Sequence, residues 1–303
     1  MIAIDLGSNT LRLIEFDGTH WGKSFEKIVR TAQGLNETGE IGLLAIERII
    51  TALNEAKESI VFEHQRIVAT TTAAMRMAHN AYACLQKIHE ETGIDFRIID
   101  GEEEAMLTLM AVKNRLHLLN RLTTNWVLVD VGGGSTEVVV VTPDRTEANS
   151  FPLGIVTLSE KAQTPDALLE ELTLYRETIS HYISSLKLSN TLDALVLTAG
   201  TPTTIAAYRM GMEYHTYDST KVNGALLTRE DCERVLVELL AMDESTRARF
   251  VGVGREELII VGIEILEMIF DALALNNAIV IDDGLREGIA LNYYFKNQIP
   301  NLT

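Results

Sequence analysis

Two cysteines in 303 residues, Cys84 and Cys232, rule out a disulfide framework. Neither sits in a CxxC spacing, so a structural zinc site is not expected and a reduced, cytoplasmic setting is. Long hydrophobic runs are also missing. The most apolar stretch, residues 258–275, is interrupted by Glu264, Glu267 and Asp271, which predicts a buried amphipathic helix and no membrane span. No basic segment precedes the first apolar residues, so no secretory leader is expected. Positive charge is scarce: 26 Lys and Arg face 43 Asp and Glu, a net charge of −17. Such a surface repels long polyanions and argues against nucleic-acid binding. An anionic substrate would have to be held by a local basic patch, by backbone amides or by a metal. GxxxxGK[ST] and GxSxG motifs are absent. The seven histidines show no HxxxH spacing and are expected to be structural or solvated.

What is present is an alternation of strand and helix signals that occurs twice. Residues 2–6, 11–17 and 21–31 read as three successive strands with short polar turns. A helix with Ile46, Ile49, Ile50 and Leu53 on one face follows over 43–62. Next come a strand at 66–69, helical segments to 88, a strand at 95–99 and a helix over 101–118. The pattern restarts with strands at 126–131, 136–142 and 147–151. Helices are predicted at 165–186, 202–210, 229–240, 255–275 and 285–295, with strands at 194–197 and 278–281. The segments Ile4-Asp5-Leu6-Gly7-Ser8-Asn9-Thr10 and Val129-Asp130-Val131-Gly132-Gly133-Gly134-Ser135 superimpose at an offset of 125 residues. Both read strand, Asp, apolar, Gly, turn, strand. An internal duplication of about one domain length is therefore expected. It would give two α/β domains, residues 1–120 and 121–303, around a central cleft, with the last helix (about 285–296) packing back on the first domain.

The second of these turns carries the strongest chemical signal. Three glycines, Gly132, Gly133 and Gly134, strip one patch of backbone of side chains, so that its amides can cradle an anion. Ser135 continues the turn, and Asp130 and Glu137 flank it as hard oxygen donors of the kind magnesium takes beside phosphate. It is not a dinucleotide fingerprint, because Glu137 stands where GxGxxG needs its third glycine. In the first turn Asp5 precedes Ser8 and Asn9, two polar donors, and Arg12 is suited to gripping phosphate. Glu102, Glu103 and Glu104 open a helix. All three complement its dipole, and one of them could take a proton from water. Arg76 follows Thr70-Thr71-Thr72 at another helix start. Gly200 and Thr201 form a strand-to-helix turn that either initiates a helix or lines a phosphate site. Asp282-Asp283-Gly284-Leu285-Arg286 forms a similar turn.

Taken together, IDLGSNTLRL, VRTAQGLNETG, ATTTAAMRMAHN, DGEEEA, DVGGGSTE, LTAGT and GLREG resemble, in order and over almost the whole chain, the Ppx/GppA family of exopolyphosphatases and guanosine pentaphosphate phosphohydrolases. The resemblance implies two actin-like (ribonuclease H-like) domains with mixed sheets flanked by helices. By motif position it implies Glu104 as general base and Asp130 and Glu137, joined by Asp5, as ligands of magnesium or of manganese in its place. Gly132, Gly133, Gly134 and Ser135 would form the phosphate loop, with Ser8, Asn9, Arg12, Arg76, Gly200 and Thr201 contacting substrate. The implied substrate is polyphosphate or a guanosine penta- or tetraphosphate. A homodimer is a candidate assembly. The family's longer members add a C-terminal helical domain, which is not expected here. Asp100 stands where the family often has Ser, adding negative charge beside the base. A kinase-like ATP user on the same fold and a non-hydrolytic sensor of the same ligands are the competing functions.

Overall fold

The computed structural model describes residues 1–121, 123–189 and 191–298. The chain divides into two compact units, Met1–Val112 together with the segment from Asp283 onward, and Lys113–Asp282. The boundary lies inside a helix, eight residues before the expected one.

In the first unit β1 (Ile2–Leu6), β2 (Thr10–Phe16) and β3 (Trp21–Ile28) form a meander. They are followed by α1 (Leu35–Thr38), α2 (Leu43–Ser59), β4 (Ile67–Thr71), α3 (Ala73–Met77), α4 (Ala81–Thr92), β5 (Phe96–Ile98) and α5 (Gly101–Leu118). The sheet order is β3-β2-β1-β4-β5, with β1 antiparallel to β2 and parallel to β4. β3 ends at Ile28, short of the predicted residue 31. The amides of Val29 and Arg30 turn out of the sheet to the Asn9 carbonyl, both at 2.9 Å, with Arg30 at φ 49°.

The second unit holds β6 (Trp126–Val131), β7 (Thr136–Val141), β8 (Thr146–Phe151), α6 (Ile155–Lys161), α7 (Pro165–Ser185), β9 (Ala194–Thr198) and α8 (Gly200–Arg209). After these come α9 (Ser219–Val222), β10 (Ala225–Thr228), α10 (Arg229–Leu240), α11 (Glu244–Val251), α12 (Leu258–Leu273) and β11 (Asn277–Val280). Its order, β10-β11-β9-β6-β7-β8, repeats the first sheet with one antiparallel edge strand added. Every residue of β7 is buried, as are all of β6 but Asp130. Runs this apolar belong to strands covered on both faces.

The last helix, α13 (Leu285–Gln298), follows β11 in sequence but packs in the first unit. Leu285, Ile289, Ala290 and Leu291 join Met1, Ala3, Ile14, Phe16, Ile99 and Leu107 in one core. Gly288 allows that contact, since a methyl there would lie 2.0 Å from the Leu107 carbonyl oxygen. Glu287 caps the helix by accepting from the Gly284 amide at 2.9 Å, and Arg286 pairs with it. No helix of the described residues is long and apolar enough to cross a membrane.

Candidate active site

Each unit carries a tight hairpin turn between its first two strands. In the first, the Gly7 amide donates to the Thr10 carbonyl at 3.0 Å; in the second, the Gly132 amide donates to the Ser135 carbonyl at 2.9 Å. Below the first turn, register sets Asp5 opposite Arg12 on β2 and Thr70 on β4, while Arg12 faces Glu26 on β3. Below the second, Asp130 lies opposite Glu137 on β7 and Thr198 on β9, while Glu137 faces Ser150 on β8. Directly opposed residues share a face, so each sheet carries one polar row across the same end of its corresponding strands.

Both turns are held from behind. The Ser8 and Asn9 carbonyls accept from the amides of Ala32, Val29 and Arg30. The Gly132 and Gly133 carbonyls accept from Ile155 and Val156 at 3.0 and 2.9 Å, and from Thr157 at 3.3 Å. Gly154 makes this approach possible: a methyl there would lie 2.4 Å from backbone atoms of Gly133 and Gly134. With the Gly132 and Gly133 carbonyls pinned, the amides of Gly133 and Gly134 make no hydrogen bond among the described residues, which leaves two donors of an anion nest. In the first unit the Ser8 hydroxyl and the Asn9 side-chain amide oxygen Oδ1 are buried with no hydrogen-bond partner among the described residues, and so are the Thr31 and Thr70 hydroxyls. Buried polar atoms are seldom left so unless water or a ligand completes them.

The start of α5 separates three glutamates that look alike in sequence. Glu102 is exposed. Glu103 forms a double ion pair with Arg97, both contacts at 2.6 Å, and its amide is capped by Asp100 at 2.8 Å. Glu104 alone is buried, 9% exposed, and its Oε2 accepts from Arg76 Nη1 at 2.8 Å. Arg76 is itself fixed by donating to the Ile99 carbonyl at 2.8 Å, again through Nη1. Its Nε and Nη2 donors make no other hydrogen bond among the described residues.

Asp130 and Glu137 suit a magnesium ion beside phosphate, which takes one or two carboxylates and completes its shell with phosphate oxygens and water. They oppose each other on one face, and Glu137, 1% exposed, accepts from the Ser150 hydroxyl at 2.7 Å. Among the described residues no group of three His, Cys, Asp or Glu could hold a metal alone. Asp5, also expected as a ligand, has a guanidinium opposite it in place of a second carboxylate. Arg12, expected to grip substrate, stands 3.2 Å from Glu26. Ser135 is 5% exposed at the end of its turn. Gly200 begins α8, as the strand-to-helix turn implied. Thr201 is turned inward: it is 1% exposed, and a methyl on Gly262 of α12 would lie 2.3 Å from its hydroxyl. Its hydroxyl, like those of Thr31 and Thr70, is buried with no hydrogen-bond partner among the described residues. Thr31 and Ser150 were not singled out in the sequence, and Thr70 only as part of the threonine run that precedes α3. Thr70 and Thr31 fall within segments of the family resemblance, but Ser150 lies in a strand with no motif.

Exopolyphosphatase 2 of Mycobacterium tuberculosis is 29% identical over 317 aligned positions, covering 96% of this chain and 97% of that protein. The guanosine-5'-triphosphate,3'-diphosphate pyrophosphatase of Vibrio vulnificus is 27% identical, covering 95% of this chain and 58% of that protein. The crystal structure of an Aquifex aeolicus Ppx/GppA family member is 29% identical and superimposes with a TM-score of 0.74, covering 99% of this chain and 98% of that one. The two mixed sheets flanked by helices are those of the actin-like fold. The family model of the Ppx/GppA phosphatases matches residues 23–296, and this chain, a phosphohydrolase by that membership, belongs to the Ppx/GppA phosphatase family.

Proposed function

We propose that the protein releases the terminal phosphate of a polyphosphorylated substrate, inorganic polyphosphate or the 5'-γ-phosphate of pppGpp, in the cytoplasm. The observation that carries the proposal is the burial of a single carboxylate, Glu104, out of three at the start of α5, with Arg76 as its counter-ion. Glu104 orients a water and accepts its proton as the water oxygen attacks the terminal phosphorus. The bond from phosphorus to the bridging oxygen breaks, and the shortened chain leaves with that oxygen. Arg76 offers its Nε and Nη2 donors to phosphate oxygens, and the Gly133 and Gly134 amides receive the charge that develops on them. Asp130 and Glu137 would hold magnesium, which supplies counter-charge to the phosphate oxygens when bound. Positioning and electrostatics supply nearly all of the rate in such a reaction.

The test is phosphate release from polyphosphates of several lengths, from pppGpp and from ATP, with and without magnesium. Free phosphate from polyphosphate or pppGpp, dependent on the metal, is the expected result. Transfer of phosphate to a second substrate would make the protein a kinase-like enzyme. Tight binding with no phosphate released would make it a sensor.

A further inference from the structure

We infer that Ser150 is a positioning residue for the metal ligand Glu137; the inference rests on the metal role proposed for that glutamate. Glu137 is 1% exposed, and a carboxylate this far from water needs hydrogen-bond donors. Its Oε1 takes the Ser150 hydroxyl at 2.7 Å. The contact is built in by register. β7 and β8 pair without a bulge from Thr136↔Phe151 to Val141↔Thr146, which sets Ser150 directly opposite Glu137. A slip of one residue would put Ser150 on the other face. The Thr136 hydroxyl ties the neighbouring segment by donating to the Leu153 carbonyl at 2.5 Å. One carboxylate oxygen is thus held from the β8 side, while Asp130 lies on the other flank of Glu137, on β6. This fixes the plane of the Glu137 carboxylate relative to Asp130, the orientation a shared cation requires. Hydrogen bonds of this kind to ligating carboxylates tune metal affinity, and losing one costs about 10–100-fold.

The experiment is a titration of the full-length chain with Mn²⁺, followed by the electron paramagnetic resonance of the free ion, for the wild type, Ser150→Ala, Ser150→Thr, Asn149→Ala and Glu137→Gln. Ser150→Ala should weaken Mn²⁺ binding by roughly 10–100-fold, and Ser150→Thr, which keeps the hydroxyl, should restore it. The neighbouring Asn149→Ala should bind as the wild type does, which separates the effect from general loosening of β8. The polyphosphate KM at saturating metal should stay constant in Ser150→Ala. If Ser150→Ala binds Mn²⁺ normally while Glu137→Gln does not, the positioning role is overturned and the metal site stands. If Glu137→Gln itself binds normally, the metal role falls and takes this inference with it. Equal losses in Asn149→Ala and Ser150→Ala would also overturn it.

Discussion

The two hairpins have the same turn, the same register and the same aspartate, yet the residue opposite that aspartate differs in kind. In the first unit it is Arg12; in the second it is Glu137. An acid facing a base is internally neutralised and presents hydrogen-bond donors. Two acids facing each other repel unless a cation joins them. One repeated frame thus carries an acid–base row in the first unit and a paired-acid row beside the glycine turn in the second. The third strand follows suit, with Glu26 beside Arg12 and Ser150 beside Glu137. The divergence lies in side chains on a retained backbone, which is how one fold comes to carry two kinds of site.

The largest effect should come from neither row. Glu104→Gln should lower kcat about 10²–10⁴-fold, the typical contribution of one base, with substrate binding retained by calorimetry, while Glu102→Gln stays near wild type. The rows themselves are distinguished next. Glu137→Gln should raise the magnesium concentration needed for half-maximal rate by at least about 10-fold. Asp5→Asn, which perturbs Arg12, should act mainly on KM. If both variants shift the metal requirement equally, the two rows do not divide the work.

Gly154→Ala tests whether the second turn is held in place by α6. Its backbone is ordinary, φ −130°, so only space is at issue. With backbone atoms 2.4 Å from the added methyl, the turn or the helix must move. Overpacking costs of about 1–3 kcal/mol are expected in a urea denaturation midpoint, with activity falling in parallel.

A pH effect should also separate the units. Glu267 on α12 is pushed up to about 7, first by burial and then by Glu264 on its own helix and Glu233 on α10, with Asp271 adding and Arg229 opposing. The folded state therefore holds this proton more tightly than the unfolded chain. The stability it contributes is complete below the ordinary glutamate range and is lost as pH rises through about 7. Glu267→Gln should flatten the pH dependence of the thermal midpoint between pH 5 and pH 8, and the second unit should be the one stabilised at the alkaline end.

Much of this comparison is visible in the sequence because a hairpin turn is a local event. Asp, Gly and the turn residues lie within eight positions, and their spacing dictates which side chains oppose. The start of α5 was visible as a helix for the same reason. Its three glutamates are told apart only by the family resemblance, which points to Glu104, because their burial depends on Arg76, which reaches Glu104 through tertiary structure. The packing of Thr201 against Gly262 was invisible for the same reason, since the two are 61 residues apart in sequence. The short elements α6, β10 and α11 gave no periodic signal, and α6 matters most, since its first amides hold the glycine turn. The domain boundary fell within α5 because a continuous helix shows no break in composition where the packing changes owner.

The smallest expected effect concerns the residue after the fourth strand of each frame. Thr72 follows β4 at φ −126°, ψ −137°, with a negative φ that any residue adopts. Ala199 follows β9 at φ 77°, ψ −175°, a region almost reserved for glycine. An alanine held there costs about 1–3 kcal/mol. Glycine would remove that strain, at an entropic cost of about 0.4–1 kcal/mol in the unfolded chain. Ala199→Gly should therefore stabilise the protein by about 1 kcal/mol in urea denaturation, net of the two terms. At Thr72 there is no strain to relieve, so Thr72→Gly should destabilise by a similar amount. Opposite signs at equivalent positions would mean that the second frame alone stores strain where β9 meets α8, one residue beyond Thr198 in the Asp130 row. Matching signs would mean that the backbone after the fourth strand is relaxed in both units, and that the difference between them is confined to the side chains of the two rows.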